Sequence, residues 1–414
     1  MDDLNLTEAL GQVSASEAGV IFRNFLRGGV RQMICEVMAA EVTELCGPKH
    51  HPNDSGNVRA GSSSGRVIAY DQREDIVRPR VRREDESGQQ EEVKLASYQA
   101  ANDPAALTAS IIQALASGVS TREMQKVKPG APGVSKSNIS RLWQQAGSKF
   151  VDELRGRDIS TQNWVGLMLD GIRLSKDQLA VVALGITAEG FKFVLDFELG
   201  SSESAEVSLD LMRRLDKRGF SCERRLFAAL DGSAALRNAV KEFFPDSVIQ
   251  RCLVHKERNI RSKLSKKHWG ELARLFKRLR EVQGKVAAQE VVKELEEFLK
   301  GKNAESLKSL REAGEDLIAL QSLDVPNTLH RNLLSTNAIE NSFCNTRNKL
   351  GRVTRFRVET DQATRWLAFA LLEVEKGFRR ISGYKELPQL MAALERQSYR
   401  RLSVCHFKSD SIRL

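Results

Sequence analysis

Three neighbouring segments decide the fold: WVGLMLDGIRL at 164–174, LAVVALGIT at 179–187 and FKFVLDFEL at 191–199. Each is a short apolar run of strand character. The last two are separated only by AEG, with Gly190 as a turn residue, which predicts an antiparallel meander. Downstream, SAEVSLDLMRRLDKRG (204–219) sets Val207, Leu211 and Leu215 on one helical face and stops at Gly219. RRLFAAL (224–230) predicts a fourth strand running into Asp231. SAALRNAVKEFF (233–244) predicts a helix capped by Ser233 and stopped by Pro245, and SVIQRCLV (247–254) a fifth strand. The order βββαβαβ predicts a mixed sheet carrying helices, an α/β core.

Asp170 and Asp231 stand at the ends of the first and fourth predicted strands, each followed by a glycine that admits a close neighbour. A carboxylate there is costly to bury unless it is hydrogen-bonded, paired or bound to metal. STNAIENSFCNTRNKL (335–350) predicts a helix with Ile339 and Phe343 on its apolar side and Glu340 turned inward. Two carboxylates from adjacent parallel strands and a third from a facing helix suit a pair of Mg²⁺ ions, with Mn²⁺ as a substitute. That arrangement serves in-line attack at phosphorus. Taken alone, Asp231 before GSAAL also reads as a helix cap. Asp196 and Glu198 are expected on a solvated strand face.

Between 259 and 324 there is no strand signal, and HWGELARLFKRLREVQG (268–284) shows helical spacing at Trp269, Leu272, Leu275, Phe276 and Leu279. An all-helical insertion is expected there, within a core made of 159–258 and 325–414. Residues 1–103 are expected to be mainly helical with a short β segment. Their helix is interrupted at Gly28-Gly29, GNVRAGSSSGR (56–66) is a loop, and IVRPRVRR (76–83) is an edge strand limited by Pro79. Within 104–158, Ser120-x-x-Glu123 is a capping-box pattern. Ser135 then opens a helix with Ile139, Leu142 and Trp143 on one side and Lys136, Ser137, Ser140, Arg141 and Gln144 on the other. This is the pattern of a helix-turn-helix with its recognition helix at 136–146. Two helices of an α-helical bundle would look the same.

The 414-residue chain carries a net charge of +10, which favours a polyanionic partner. Residues 251–280 hold eleven Lys or Arg against Glu257 and Glu271, and 347–357 holds Arg347, Lys349, Arg352, Arg355 and Arg357 with no acid. Such patches draw DNA phosphates by releasing counterions. Lys256, Arg258, Arg261 and Arg347 are the expected contacts. The longest apolar runs are too short to span a bilayer, and MDDLNLTEAL lacks the basic start of a signal peptide. A cytoplasmic protein is expected, nucleoid-associated when on DNA, with the six scattered cysteines reduced. In QRCLVHKERN (250–259), Cys252 and His255 have metal-ligand spacing. No second pair completes a four-ligand zinc site, and no third member supports a thiol nucleophile. A supporting role beside Asp231 is favoured, with simple burial at a strand-to-helix junction as the alternative.

LMLDGIRL (167–174), AALDGSAALRNAVKEFFPDSVIQRCLVHKERN (228–259) and STNAIENSFCNTRNK (335–349) resemble the Mutator-type transposases of bacterial insertion sequences, and the resemblance covers most of the chain. It implies a ribonuclease H-like core whose DDE triad is Asp170, Asp231 and Glu340, interrupted by a helical insertion and preceded by mainly helical DNA-binding domains. It also implies magnesium, binding to terminal inverted repeats and target DNA, a homodimer or larger assembly, and a copy-out, paste-in route through a circular intermediate. Cys252-x-x-His255 resembles the family's C/D-x-x-H motif. The segment after Glu340 has fewer arginines than the family pattern. A nuclease that cuts without joining, or a DNA-binding repressor with a decayed catalytic domain, are the rival functions.

Overall fold

The computed structural model describes residues 14–69, 71–84, 89–351, 353, 355–357 and 360–395. The expectations for 1–13, Arg352 and 396–414 lie outside the described residues. The chain divides into two units, Met1–Trp143 and Gln144–Leu414.

The first unit opens with α1, Ala15–Cys46, started by a capping box in which Ser14 N donates to Glu17 Oε2 (3.0 Å). The helix passes through Gly28 and Gly29 without the expected interruption. Its second half is held by burying Met38, Val42 and Cys46 against Val67, Ile76, Val81 and Leu95, so tertiary packing overrides the weak helix propensity of glycine.

Val67 lies on β1 (Asn57–Ala69) and Ile76 and Val81 on β2 (Gln72–Glu84), an antiparallel pair extended by β3 (Gln90–Val93), with Leu95 two residues past it. GNVRAGSSSGR is therefore mostly strand, not loop. IVRPRVRR is in the central strand, not at an edge. Pro79 is tolerated because it faces Ser62, where the register slips between Arg59 and Ser62; the missing N–H falls at an irregularity in the ladder. Three short helices follow: α2 (Ala96–Ala101), α3 (Ala105–Ala116) and α4 (Met124–Val127). The capping box at Ser120 forms, with Glu123 N donating to Ser120 Oγ at 3.2 Å, but it opens only the single turn of α4. α5 runs over Lys136–Gly156, beyond the expected 146, and Ser135 Oγ accepts from Asn138 N at 3.4 Å at its start.

In the second unit, β4 (Trp164–Arg173), β5 (Leu179–Thr187) and β6 (Lys192–Gly200) form the antiparallel meander. α6 (Ala205–Lys217), β7 (Phe227–Leu230), α7 (Ala234–Phe243) and β8 (Val248–Arg251) complete a five-stranded mixed sheet in the order β6-β5-β4-β7-β8. β4–β7 and β7–β8 are parallel. Alternate side chains serve two cores. Val165, Met168 and Ile172 face one, with the helical segment and the C-terminal helices. Leu167 and Leu169 face the other, with Leu211 and Leu215 of α6 and Leu236 and Val240 of α7.

After β8 the chain is helical as expected: α8 (Leu253–Lys263), α9 (Trp269–Glu281), α10 (Lys285–Leu299) and α11 (Ala304–Glu312). Fully buried Gln250 ties this segment to the sheet, donating to Leu317 O (3.0 Å) and accepting from Leu320 N (2.8 Å). α12 (His330–Leu333), α13 (Asn337–Leu350) and α14 (Gln362–Glu375) follow. Trp269 is part of the core rim, its indole N–H donating to Arg261 O and Leu264 O at 3.1 Å.

Asp196 is fully buried rather than solvated. Arg155 (3.3 Å), Arg214 (3.0 Å) and Arg218 (3.6 Å) surround it, and Phe197 N donates to it at 2.7 Å. Glu198 pairs with Arg214. A buried carboxylate is stable only with such partners, and these come from the part of α5 that belongs to the second unit (Arg155), from α6 (Arg214) and from Arg218 just past its end.

Candidate active site

The parallel register pairs Leu169 of β4 with Leu230 of β7, so the next residues, Asp170 and Asp231, emerge side by side. Asp170 is not at the end of its own strand, since β4 continues to Arg173 alongside β5; it stands where the pairing with β7 ends. Asp231 Oδ1 accepts from Ser233 N (2.8 Å). The Ser233 side chain does not cap α7, so Asp231 organises the turn itself.

A third acid joins them. Carboxylate oxygens of Asp170, Glu203 and Asp231 lie within 4.8 Å of one another. Glu203 sits in the loop between β6 and α6, one residue before the cap Ser204. It reaches Asp170 because Gly171 has no side chain; a Cβ there would overlap the Glu203 carboxylate. The glycine after Asp231 plays a like part: Gly232, at φ +121°, lies under the Arg251 guanidinium.

Glu340, in the first turn of α13, belongs to an adjoining group with Cys252 and His255, whose ligand atoms also lie within 4.8 Å of one another. Cys252 is fully buried, and its sulfur accepts from Thr336 N (3.3 Å) and His255 N (3.5 Å). The Thr336 hydroxyl lies 3.4 Å from that sulfur, 3.3 Å from His255 Nδ1 and 3.2 Å from Glu340 Oε1. Leu253 N donates to Leu334 O (2.9 Å). Cys252-x-x-His255 thus clasps the end of β8 to the start of the helix bearing Glu340. Among the described residues the group has three donors, where structural zinc takes four.

The two groups share one electrostatic field. Burial, then the neighbouring Asp231 charge, pushes the Asp170 carboxyl up to about 7, against the pull of His255; Glu340 adds a smaller upward push. Burial, then Asp231, also raises Glu203. The hydrogen bond to Cys252 raises His255 to about 9 despite burial, with the charges of Cys252, Asp170 and Glu340 adding to it. Burial opposes ionisation of Cys252, but hydrogen bonds from His255 and Thr336 outweigh it and lower its pKa. The three oxygen donors crowded at this edge are of the chemical kind that could hold a hard cation.

The expected DNA contacts fare unevenly. Lys136, Ser137, Ser140, Arg141 and Gln144 are exposed while Ile139 and Trp143 are buried. Arg261 and Arg347 are exposed, Arg261 lying over the Trp269 ring at 4.9 Å. Lys256 cannot be a DNA contact. It is 1% exposed, and its Nζ donates to Ser309 O and Glu312 Oε2, both at 2.7 Å. Arg258 is exposed but pairs with Glu340 Oε2 (3.1 Å). Much of the basic run is matched in the same way: Arg251 meets Glu312, Arg274 meets Glu271, Arg278 meets Glu294 and Arg280 meets Glu257.

The family described as Transposase, Mutator family, matches residues 1–380. The chain belongs to the Mutator family of transposases. It is similar to the transposase for insertion sequence element IS6120 of Mycolicibacterium smegmatis, 30% identical over 244 residues, or 57% of this chain and 73% of that one. The transposase for IS1201 of Lactobacillus helveticus is 26% identical over 332 residues, 78% of this chain and 87% of its own. The transposase for IS256 in transposon Tn4001 of Staphylococcus aureus is 32% identical over 172 residues, 39% and 43%. A transposase acts on DNA, and the basic, acid-centred second unit is consistent with that. No helix among the described residues is long and apolar enough to cross a membrane.

Proposed function

We propose that this transposase binds terminal inverted repeats and catalyses metal-dependent strand cleavage and strand transfer on a ribonuclease H-like core. The observation that carries the reading is the placement of Asp170 and Asp231 side by side on parallel strands, with Glu340 in the adjoining group. Asp170, Asp231 and Glu340 are the acidic triad, and Glu203 is a fourth carboxylate of the same site. When bound, a pair of Mg²⁺ ions would supply Lewis acidity at the attacking and leaving oxygens.

The protein's own part is to hold its carboxylates convergent and to present phosphate contacts around them. Water attacks the phosphorus at the element's end and releases a 3′ hydroxyl, and that hydroxyl then attacks another phosphodiester in the same site. The exposed side of α5, with Lys136, Ser137, Ser140, Arg141 and Gln144, reads the repeat through base edges, while Arg261 and Arg347 bind phosphates. Two copies act together on paired ends. Cys252 and His255 position Glu340.

End-labelled duplex carrying the repeats that flank the coding region tests this reading. With Mg²⁺ or Mn²⁺ the chain is expected to yield a cut bearing a 3′ hydroxyl and then a joined product, and chelator abolishes both. Cutting without joining would make it a nuclease, and end binding without cutting a repressor.

Glu203 has its own test. Glu203→Gln removes the fourth charge. Gly171→Ala displaces the carboxylate while leaving the strand intact, since the atom it meets is the end of a flexible side chain. Both variants are expected to weaken Mn²⁺ binding about tenfold, the scale typical of groups supporting a metal site, as read by electron paramagnetic resonance titration. Unchanged Mn²⁺ affinity in both would remove Glu203 from the site.

A further inference from the structure

α1 has two apolar faces, and only one meets the sheet. Met38, Val42 and Cys46 are buried in the core of the first unit. Away from them, Phe22, Phe25, Met33 and Val37 are 47%, 52%, 65% and 56% exposed. Their spacing keeps them within one stripe of a helix, and a contiguous exposed apolar stripe of this kind marks an interaction surface. Gly29 lies at its centre, four residues from Phe25 and four from Met33. A Cβ built on Gly28 or Gly29 would find no other atom within 4 Å. The pair therefore answers no packing need inside the chain, and glycine is a poor helix former. It leaves room for a second backbone to come close.

Charge selects the occupant. Arg23 is exposed on the N-terminal side of Gly29, and Glu36 and Glu44 on its C-terminal side. A second copy lying parallel would set Arg23 beside Arg23 and Glu36 beside Glu36. An antiparallel copy centred on Gly29 brings Arg23 next to Glu36 of its partner, and opposes the helix dipoles. With a two-fold axis at Gly29, Phe25 falls opposite Met33 of the second copy, and Phe22 within one residue of its Val37. Such an interface is isologous and closes at two subunits.

We propose that the stripe Phe22, Phe25, Gly29, Met33 and Val37 is the dimerisation surface of this transposase, covered by the same stripe of a second copy in antiparallel orientation. This deepens the reading above that two copies act together, and its test involves no catalysis. In sedimentation and light scattering of the full chain, the wild type is expected to be a dimer. The double variant Phe25→Asp, Met33→Asp is expected to raise the dimer dissociation constant at least about 100-fold, with an unchanged far-ultraviolet circular dichroism spectrum. Because both residues are on the surface, the fold survives the change. Disulfide trapping fixes the orientation: chains carrying Phe25→Cys, mixed with chains carrying Met33→Cys, cross-link above the wild-type background, and Phe25→Cys chains alone do not. The proposal is overturned if the double variant dimerises as the wild type does, or if Phe25→Cys chains cross-link to each other as readily as to the mixed partner. It is equally overturned if the wild type is monomeric, as it would be if residues 1–13 of the same chain covered the stripe.

Discussion

Asp231→Asn is expected to reduce both cleavage and joining of transposon-end DNA at least about 10³-fold, equivalent to about 4 kcal/mol of lost transition-state stabilisation, while end binding stays within about twofold. Asp170→Asn and Glu340→Gln are expected to do the same. The amide keeps the size of the side chain and one carbonyl oxygen. Asp231 Oδ1 accepts from Ser233 N, and Asp170 Oδ1 from Gly171 N, both at 2.8 Å. Each bond can persist to an amide oxygen, so the turns that shape the site survive. What disappears is the negative charge, which a hard cation needs and DNA binding does not. Gel shift and strand-transfer assays on the same preparations separate the two effects. A variant with Asn at 231 that still cuts and joins at near wild-type rate would show that the paired aspartates are not the catalytic centre. A loss of cutting with normal joining of pre-cut ends would instead confine the triad to the first step.

The central sheet and its two aspartates were legible because both signals are local. Apolar runs bounded by turn residues define the strands, and an acid followed by glycine at the end of such a run is unusual wherever burial is costly. Glu203 carries no such signal: it lies in GSSESAE, a polar loop next to a helix cap, and its approach to Asp170 depends on the missing side chain of Gly171, 32 positions earlier. Non-local partners explain the other differences. Lys256 reads as one more cation in a basic run, but its partner Glu312 comes from a helix 56 residues on. Asp196 alternates with apolar residues as a solvated position would, and its arginines arrive from α5, from α6 and from the residue just past α6. Composition misled in the first unit, where glycines and serines in β1 face solvent on a strand whose few apolar residues, such as Val67, suffice to anchor it. The Cys252–His255 pair was legible as a spacing, but its clasp on Thr336 required the fold.

Crowding of the same acids also sets the stability of the metal-free chain. Asp170 ionises near 3.8 when unperturbed and at about 7 in the fold, chiefly through burial and then through Asp231. Between those values the folded chain holds a proton that the unfolded chain has lost, so stability falls as pH rises, by about 1.4 kcal/mol per pH unit for this group. The loss is complete once pH passes the folded value, and a pKa difference of about three corresponds to about 4 kcal/mol. Asp170→Asn has no such ionisation. Below pH 4 the variant and the wild type should melt close together in chelator. From pH 4 to 7 the variant should gain progressively, and at pH 8 it should melt roughly 10 °C higher, given the usual relation between stability and melting temperature for a domain of this size. Mn²⁺ at pH 8 should then raise the wild type by mass action on the folded state and leave the variant almost unmoved. The crossed outcome matters most: a site assembled to bind a cation is a liability to the fold without one, and removing its central charge should improve the melt as it abolishes the chemistry. Parallel pH profiles for wild type and variant in chelator, with equal response to Mn²⁺, would mean that Asp170 is neither strained by its neighbours nor relieved by metal.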